Sequence, residues 1–122
     1  MLISLLLACG SGDGPPEIHY DTDPCDLCGM VISDPASAAA LVTDAGATFT
    51  FDDPGCLISY RATHPDPNSR AWFSDGARWY PQAEVAFLVG AETPMGSGLH
   101  AVPAGTAGAI TLEEARARLL GP

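Results

Sequence analysis

Two short stretches carry side chains able to hold a soft metal ion. Asp23-Pro24-Cys25-Asp26-Leu27-Cys28-Gly29-Met30 contains a C-x-x-C turn followed by a thioether. Such a turn brings two sulfurs close together, and Gly29 permits the tight backbone path. Far along the chain, Glu92-Thr93-Pro94-Met95-Gly96-Ser97-Gly98 sets a second thioether between glycines, in what reads as an exposed loop. A loop is a poor place for a core methionine. Met1 falls in the apolar leader, so Met30 and Met95 are the two methionines left, and both stand beside glycine.

Three chemistries compete for the C-x-x-C turn. A structural zinc site needs four tetrahedral ligands, commonly a second C-x-x-C or a His pair, and the chain has neither. Cys56 with one histidine could complete such a set. A thioredoxin-like redox pair, Cys25 with Cys28, needs the turn at the start of a helix, whose dipole lowers a thiol pKa. Here proline and acidic residues precede it, and Asp26 between the thiols works in the opposite direction. Cu(I) asks for only two or three soft donors, and Cys28 with Met30 supplies a thiolate and a thioether. His19, His64 and His100 are further candidate donors, each equally readable as an ordinary surface or satisfied residue. Met95 has its own alternative, as filler of a gap in the core.

The cysteine count depends on the compartment. Residues 1–8, MLISLLLA, are too few to span a bilayer and very apolar for the start of a soluble domain, so they read as the end of a signal peptide. Leu6-Leu7-Ala8-Cys9-Gly10 is ordered like a bacterial lipobox, with Cys9 as the lipidated residue and membrane anchor; the alternative is a buried apolar strand with an incidental cysteine. Residues 9–22 then include a flexible tether, GSGDGPP. Outside the cytoplasm, an odd remainder of three thiols, Cys25, Cys28 and Cys56, argues against a purely disulfide framework. The net charge of −10 and five scattered arginines exclude nucleic-acid binding, which needs clustered cations. An acidic surface attracts cations, and it also serves solubility.

The elements that must position these residues belong to an α+β fold. Strands are expected at 37–43 (SAAALVT) and 47–52 (ATFTFD), joined by an Asp44-Ala45-Gly46 turn. A helix follows, with Asp53 as N-cap and Pro54 at the first helical position, ending near His64 before Pro65. After a linker at 66–70, strands are expected at 70–74, 77–80, 84–89 and 98–102, then a helix opened by the capping box Thr111-Leu112-Glu113-Glu114 and stopped at Gly121. The chain thus divides into two small ββαβ-like units packed together, residues 23–68 and 69–122, the second abbreviated, with the metal site near their junction. Trp72, Phe73, Trp79 and Phe87 read as packing between the halves.

The lipobox cysteine, Cys28-Gly29-Met30, Phe51-Asp52-Asp53-Pro54-Gly55-Cys56, a central Trp and Pro94-Met95-Gly96 occur in an order that resembles the NosL family. The resemblance implies a lipid-anchored periplasmic Cu(I) chaperone of two ββαβ units, serving assembly of the copper centres of nitrous oxide reductase. It implies Cys28, Met30 and Met95 as Cu(I) donors, with Cys25, His19 and His100 as auxiliary ligands and Cys56 as a structural residue. It implies no enzyme activity; the partners would be an extracytoplasmic copper acceptor, nitrous oxide reductase or its assembly machinery, and the membrane through Cys9. The chain departs from the family's pattern after His100, where 103–108 (PAGTAG) stands in place of a fuller helical segment. The rival expectations are a thiol-disulfide oxidoreductase using Cys25 and Cys28 and a lipoprotein interaction module without metal.

Overall fold

The computed structural model describes residues 14–121. The leader 1–8 and the proposed lipidation site Cys9 lie outside the described residues. The fold is α+β, with strands and helices close to where the sequence places them.

Strands β1 (Ala39–Val42) and β2 (Thr48–Phe51) form an antiparallel hairpin, with Ala39 opposite Phe51 and Val42 opposite Thr48. Its turn closes through Thr43 N–H to Ala47 O (2.8 Å) and Gly46 N–H to Thr43 O (3.0 Å). Gly46 has φ +89°, a backbone conformation that side-chain-bearing residues adopt only with strain. Helix α1 (Pro54–Thr63) crosses over and returns the chain as β3 (Arg70–Ser74), which pairs with the other edge of β1. A short β4 (Trp79–Pro81) completes a sheet ordered β2-β1-β3-β4. Strand β1 is central, and all four of its residues are buried, which suits its small and branched AALV sequence. Residue 68, the expected boundary between units, falls in the connection from α1 to β3, so one sheet contains strands from both sides of it.

A single 3-10 turn (Gln82–Glu84) leads into a second hairpin, β5 (Val85–Val89) with β6 (Leu99–Pro103), and then into α2 (Leu112–Leu120). The capping box is formed in full: Glu114 N–H donates to Thr111 Oγ1 and Thr111 N–H to Glu114 Oε1, both at 3.1 Å. The two sheets meet at Phe73 and Phe87, both fully buried, with ring centroids 5.0 Å apart and planes at 86°. This edge-to-face contact bears out the packing role expected of them and adds about 0.5–1.5 kcal/mol beyond area burial.

The segment before β1 is held as firmly as a strand. Ile18 and Ile32 are buried in the core. Asp21 N–H donates to Ile32 O, Ile32 N–H to Asp23 O and Cys25 N–H to Met30 O, at 2.7–2.8 Å, which closes the C-x-x-C turn. That turn is docked on β2, an edge strand whose unpaired groups need partners. Asp26 N–H donates to Thr50 O (2.8 Å), and Thr50 N–H donates to the Asp26 carboxylate (2.7 Å). Asp26 is therefore the residue that seats the two thiols against the sheet.

Candidate metal centre

Three elements converge where β2 ends. The C-x-x-C turn brings Cys25 and Cys28, the strand end brings Asp52, and the first turn of α1 brings Cys56. The three sulfurs and a carboxylate oxygen lie within 4.8 Å of one another, a cluster that could hold a metal ion. The helix start is fixed by Asp53, whose carboxylate accepts from Gly55 N–H at 2.8 Å, with Pro54 supplying the preset first helical φ. Once α1 starts there, residue 56 faces back toward residue 52, and Cys56 Sγ donates to Asp52 Oδ1 at 3.4 Å. Cys28 Sγ lies 3.5 and 3.6 Å from the two Asp52 oxygens.

Proton sharing within the cluster is uneven. The Cys25 thiol is lowered to about 6, chiefly because Cys56 donates its S–H; burial opposes this, and backbone amides around Cys28, Asp52 and Leu27 support it. Cys56 is driven well above the ordinary thiol range, first by that same hydrogen bond and then by burial and the neighbouring negative charges. Burial raises Cys28 as well, with the Met30 backbone pulling the other way and Cys25 and Asp52 adding to the rise. The metal-free cluster therefore carries one favoured thiolate and two thiols. A cation entering it would release their protons, the usual coupling of thiolate ligation to pH.

Cys25, Asp52 and Cys56 are buried, while Cys28 is only half buried and faces outward. Met30, on the same turn, is 60% exposed, and Met95 is 50% exposed. Half-exposure of Met95 argues against its reading as core filler. Its loop is clasped by Asp53, which is fully buried: Met95 N–H donates to Oδ2 at 2.9 Å, and Ser97 Oγ donates to Oδ1. Met95 and Leu27 thereby line one cleft of about 250 Å³ with Cys56 and Leu119. Close approach of this loop needs Gly55, where an added Cβ would stand 2.7 Å from Ser97 Cβ.

The histidines sit elsewhere. His19 is exposed and bonded to Asp23 through backbone and ring, with Glu17 3.8 Å from its other ring nitrogen. His64 stacks on Tyr60 at 4.1 Å at the end of α1. His100, on β6, lies near enough to Asp75 to act on its carboxylate. Among the described residues none of them belongs to the thiol cluster. Cys56 is buried, as a structural role requires, yet its sulfur is also part of the cluster. Asp52 is a cluster member that the sequence reading passed over. Its one signal is the aspartate doublet Asp52-Asp53: the helix cap uses only the second, which leaves the first without an assigned task.

No family model, no curated protein and no solved structure matches this chain.

Proposed function

We propose that the protein is a membrane-anchored, extracytoplasmic chaperone that binds Cu(I) and passes it to a cuproenzyme, nitrous oxide reductase if the resemblance to NosL holds. The observation that carries this reading is the arrangement of soft donors around one rim. Cys28 is the outward thiol of a buried thiol cluster, Met30 extends from the same turn, and Met95 is presented from a loop clasped over the first turn of α1. Large apolar side chains this exposed, at the edge of a thiol cluster, have their thioethers free for ligation.

Cu(I) is satisfied by Cys28 with one or both methionines. At such low coordination an acceptor's thiolate, thioether or imidazole can bind before the old ligands leave, so the ion is never released free. The net charge of −10 favours approach of a cation. No substrate bond is made or broken. The rival, thiol-disulfide exchange by Cys25, has its depressed thiol in its favour, but an attacking sulfur must be accessible and Cys25 is buried.

The test is chelator competition for Cu(I) under anaerobic conditions, comparing the reduced chain with the M30L/M95L double variant. Leucine keeps the volume and both replacements leave every thiol in place. Loss of two of the three donors predicts an affinity lower by orders of magnitude, whereas an exchange enzyme or a metal-free module would not respond. Unchanged affinity would show that the methionines are not ligands.

A further inference from the structure

The copper reading leaves Asp52 without a purpose. Cu(I) takes two or three soft donors and gains little from a carboxylate oxygen. Yet Asp52 is only 2% exposed, receives both Cys28 and Cys56, and brings the cluster to four donors, three sulfur and one oxygen. Four is the coordination number of a borderline divalent ion held by thiolates and a carboxylate.

We propose that Cys25, Cys28, Cys56 and Asp52 form a closed tetrahedral site for a divalent ion of the zinc class, distinct from the outward-facing Cu(I) site. Three observations support it independently of the copper reading. The first is distance. Tetrahedral ligands at a Zn–S bond of about 2.3 Å stand about 3.8 Å apart, so donors already within 4.8 Å need close by no more than about 1 Å.

The second is burial: three of the four donors are buried, as in structural sites, which keep no position open for exchange. The third is charge. Three thiolates and one carboxylate are formally four negative charges, and a divalent ion neutralises twice as many of them as Cu(I) does. Uncompensated charge in a buried site is costly, so the donor set selects the higher charge. As the metal–sulfur bonds form, each thiol proton still present leaves for bulk water.

The site has a structural task. It joins the C-x-x-C turn to the β2–α1 junction, across a sequence separation of 24 to 31 residues, where the backbone contact is made through Asp26 and Thr50. A bound ion therefore holds the rim of the copper site rigid. Cys28 is common to both sites; Asp52 and Cys56 belong to the inner one, Met30 and Met95 to the outer.

The experiment is an anaerobic titration of the reduced full chain with Co2+, a spectroscopic stand-in, followed by displacement with Zn2+. The expected result is one Co2+ per chain with the strong visible bands of a tetrahedral ion and sulfur-to-cobalt charge transfer, all displaced by one Zn2+. X-ray absorption of the Zn2+-loaded wild type should count three sulfur neighbours and one light one. Because changes outside the ligand shell already cost 10–100-fold in metal affinity, Cys56→Ser should lower Zn2+ affinity by more than about 100-fold and Asp52→Asn by at least about 10-fold.

The M30L/M95L variant should keep the Co2+ spectrum unchanged, so the inner site can stand even where the copper reading fails. A weak octahedral spectrum, or fewer than three sulfur neighbours in the wild type, overturns the proposal whether or not the variants fold. Loss of the tetrahedral spectrum in M30L/M95L would also overturn it, because the two sites would then be one.

Discussion

Replacing Asp53 with alanine should damage stability and copper binding together, because one buried carboxylate serves as helix cap and loop clasp. The cap bond to Gly55 N–H accounts for about 1 kcal/mol, by analogy with other Asp-to-Ala N-cap changes. The bonds from Met95 N–H and Ser97 Oγ reach a charged acceptor, and such bonds contribute about 1.5–3 kcal/mol each. Removing a buried carboxylate also relieves its desolvation, which offsets part of the loss. A net cost of about 2–3 kcal/mol results, or a melting-temperature drop of roughly 10–20 °C for a domain near 100 residues.

Urea denaturation of Asp53→Ala, Ser97→Ala and the double variant separates cap from clasp. The cycle should give a coupling of about 1–2 kcal/mol between Asp53 and Ser97, within the range for bonded neighbours. The Asp53→Ala chain should also lose as much Cu(I) affinity as Met95→Leu alone, since the loop is no longer held over α1. Coupling within about 0.3 kcal/mol of zero, at the level of independent sites, would refute the clasp.

Two further perturbations probe the same framework. Gly55→Ala puts a methyl group against Ser97 and should cost about 1–3 kcal/mol by overpacking; a neutral result in chemical denaturation would mean that the Met95 loop yields freely. Asp75 tests the acid limb. Burial alone would raise its carboxyl, but the amides of Arg78 and Ala77 and the Tyr80 hydroxyl hold it below the ordinary 3.8. A depressed folded-state pKa stabilises above the unfolded value and is lost as pH falls through the folded one. Asp75→Asn should therefore be less stable than wild type at neutral pH, with the gap closing below pH 3.8 in thermal melts. A gap that stayed constant into acid would contradict that assignment.

The elements were legible because their signals are local. Asp53-Pro54 and Thr111-x-x-Glu114 mark helix starts through groups that the first turn itself needs, and both caps form as expected. The turn at Gly46 is equally self-contained. Strand pairing is another matter: nothing in 37–43 or 70–74 states that β1 lies between β2 and β3, because that depends on burial of both edges of AALV. Cys25 and Cys28 were legible as a pair through their spacing. Cys56 and Asp52 were not, since their approach depends on a helix cap at Asp53 and on Asp26 seating the turn against Thr50. A search for metal sites confined to Cys and His spacing passes over a carboxylate ligand whenever tertiary structure delivers it.

The Asp52-Asp53 doublet shows how one strand end can serve two sites. At the end of β2 the chain leaves extended geometry, so adjacent side chains can take different directions. Asp52 turns to the thiols, while Asp53 caps α1 and clasps the Met95 loop. Both carboxylates are buried, and each is satisfied by a different partner set. The backbone joining them therefore links the thiol cluster to the position of the distal thioether. A change in cluster geometry on metal binding would move the β2–α1 junction, and through Asp53 the Met95 loop. Closure of the outer soft-donor rim would then depend on whether the inner cluster is loaded, without any hinge elsewhere in the fold.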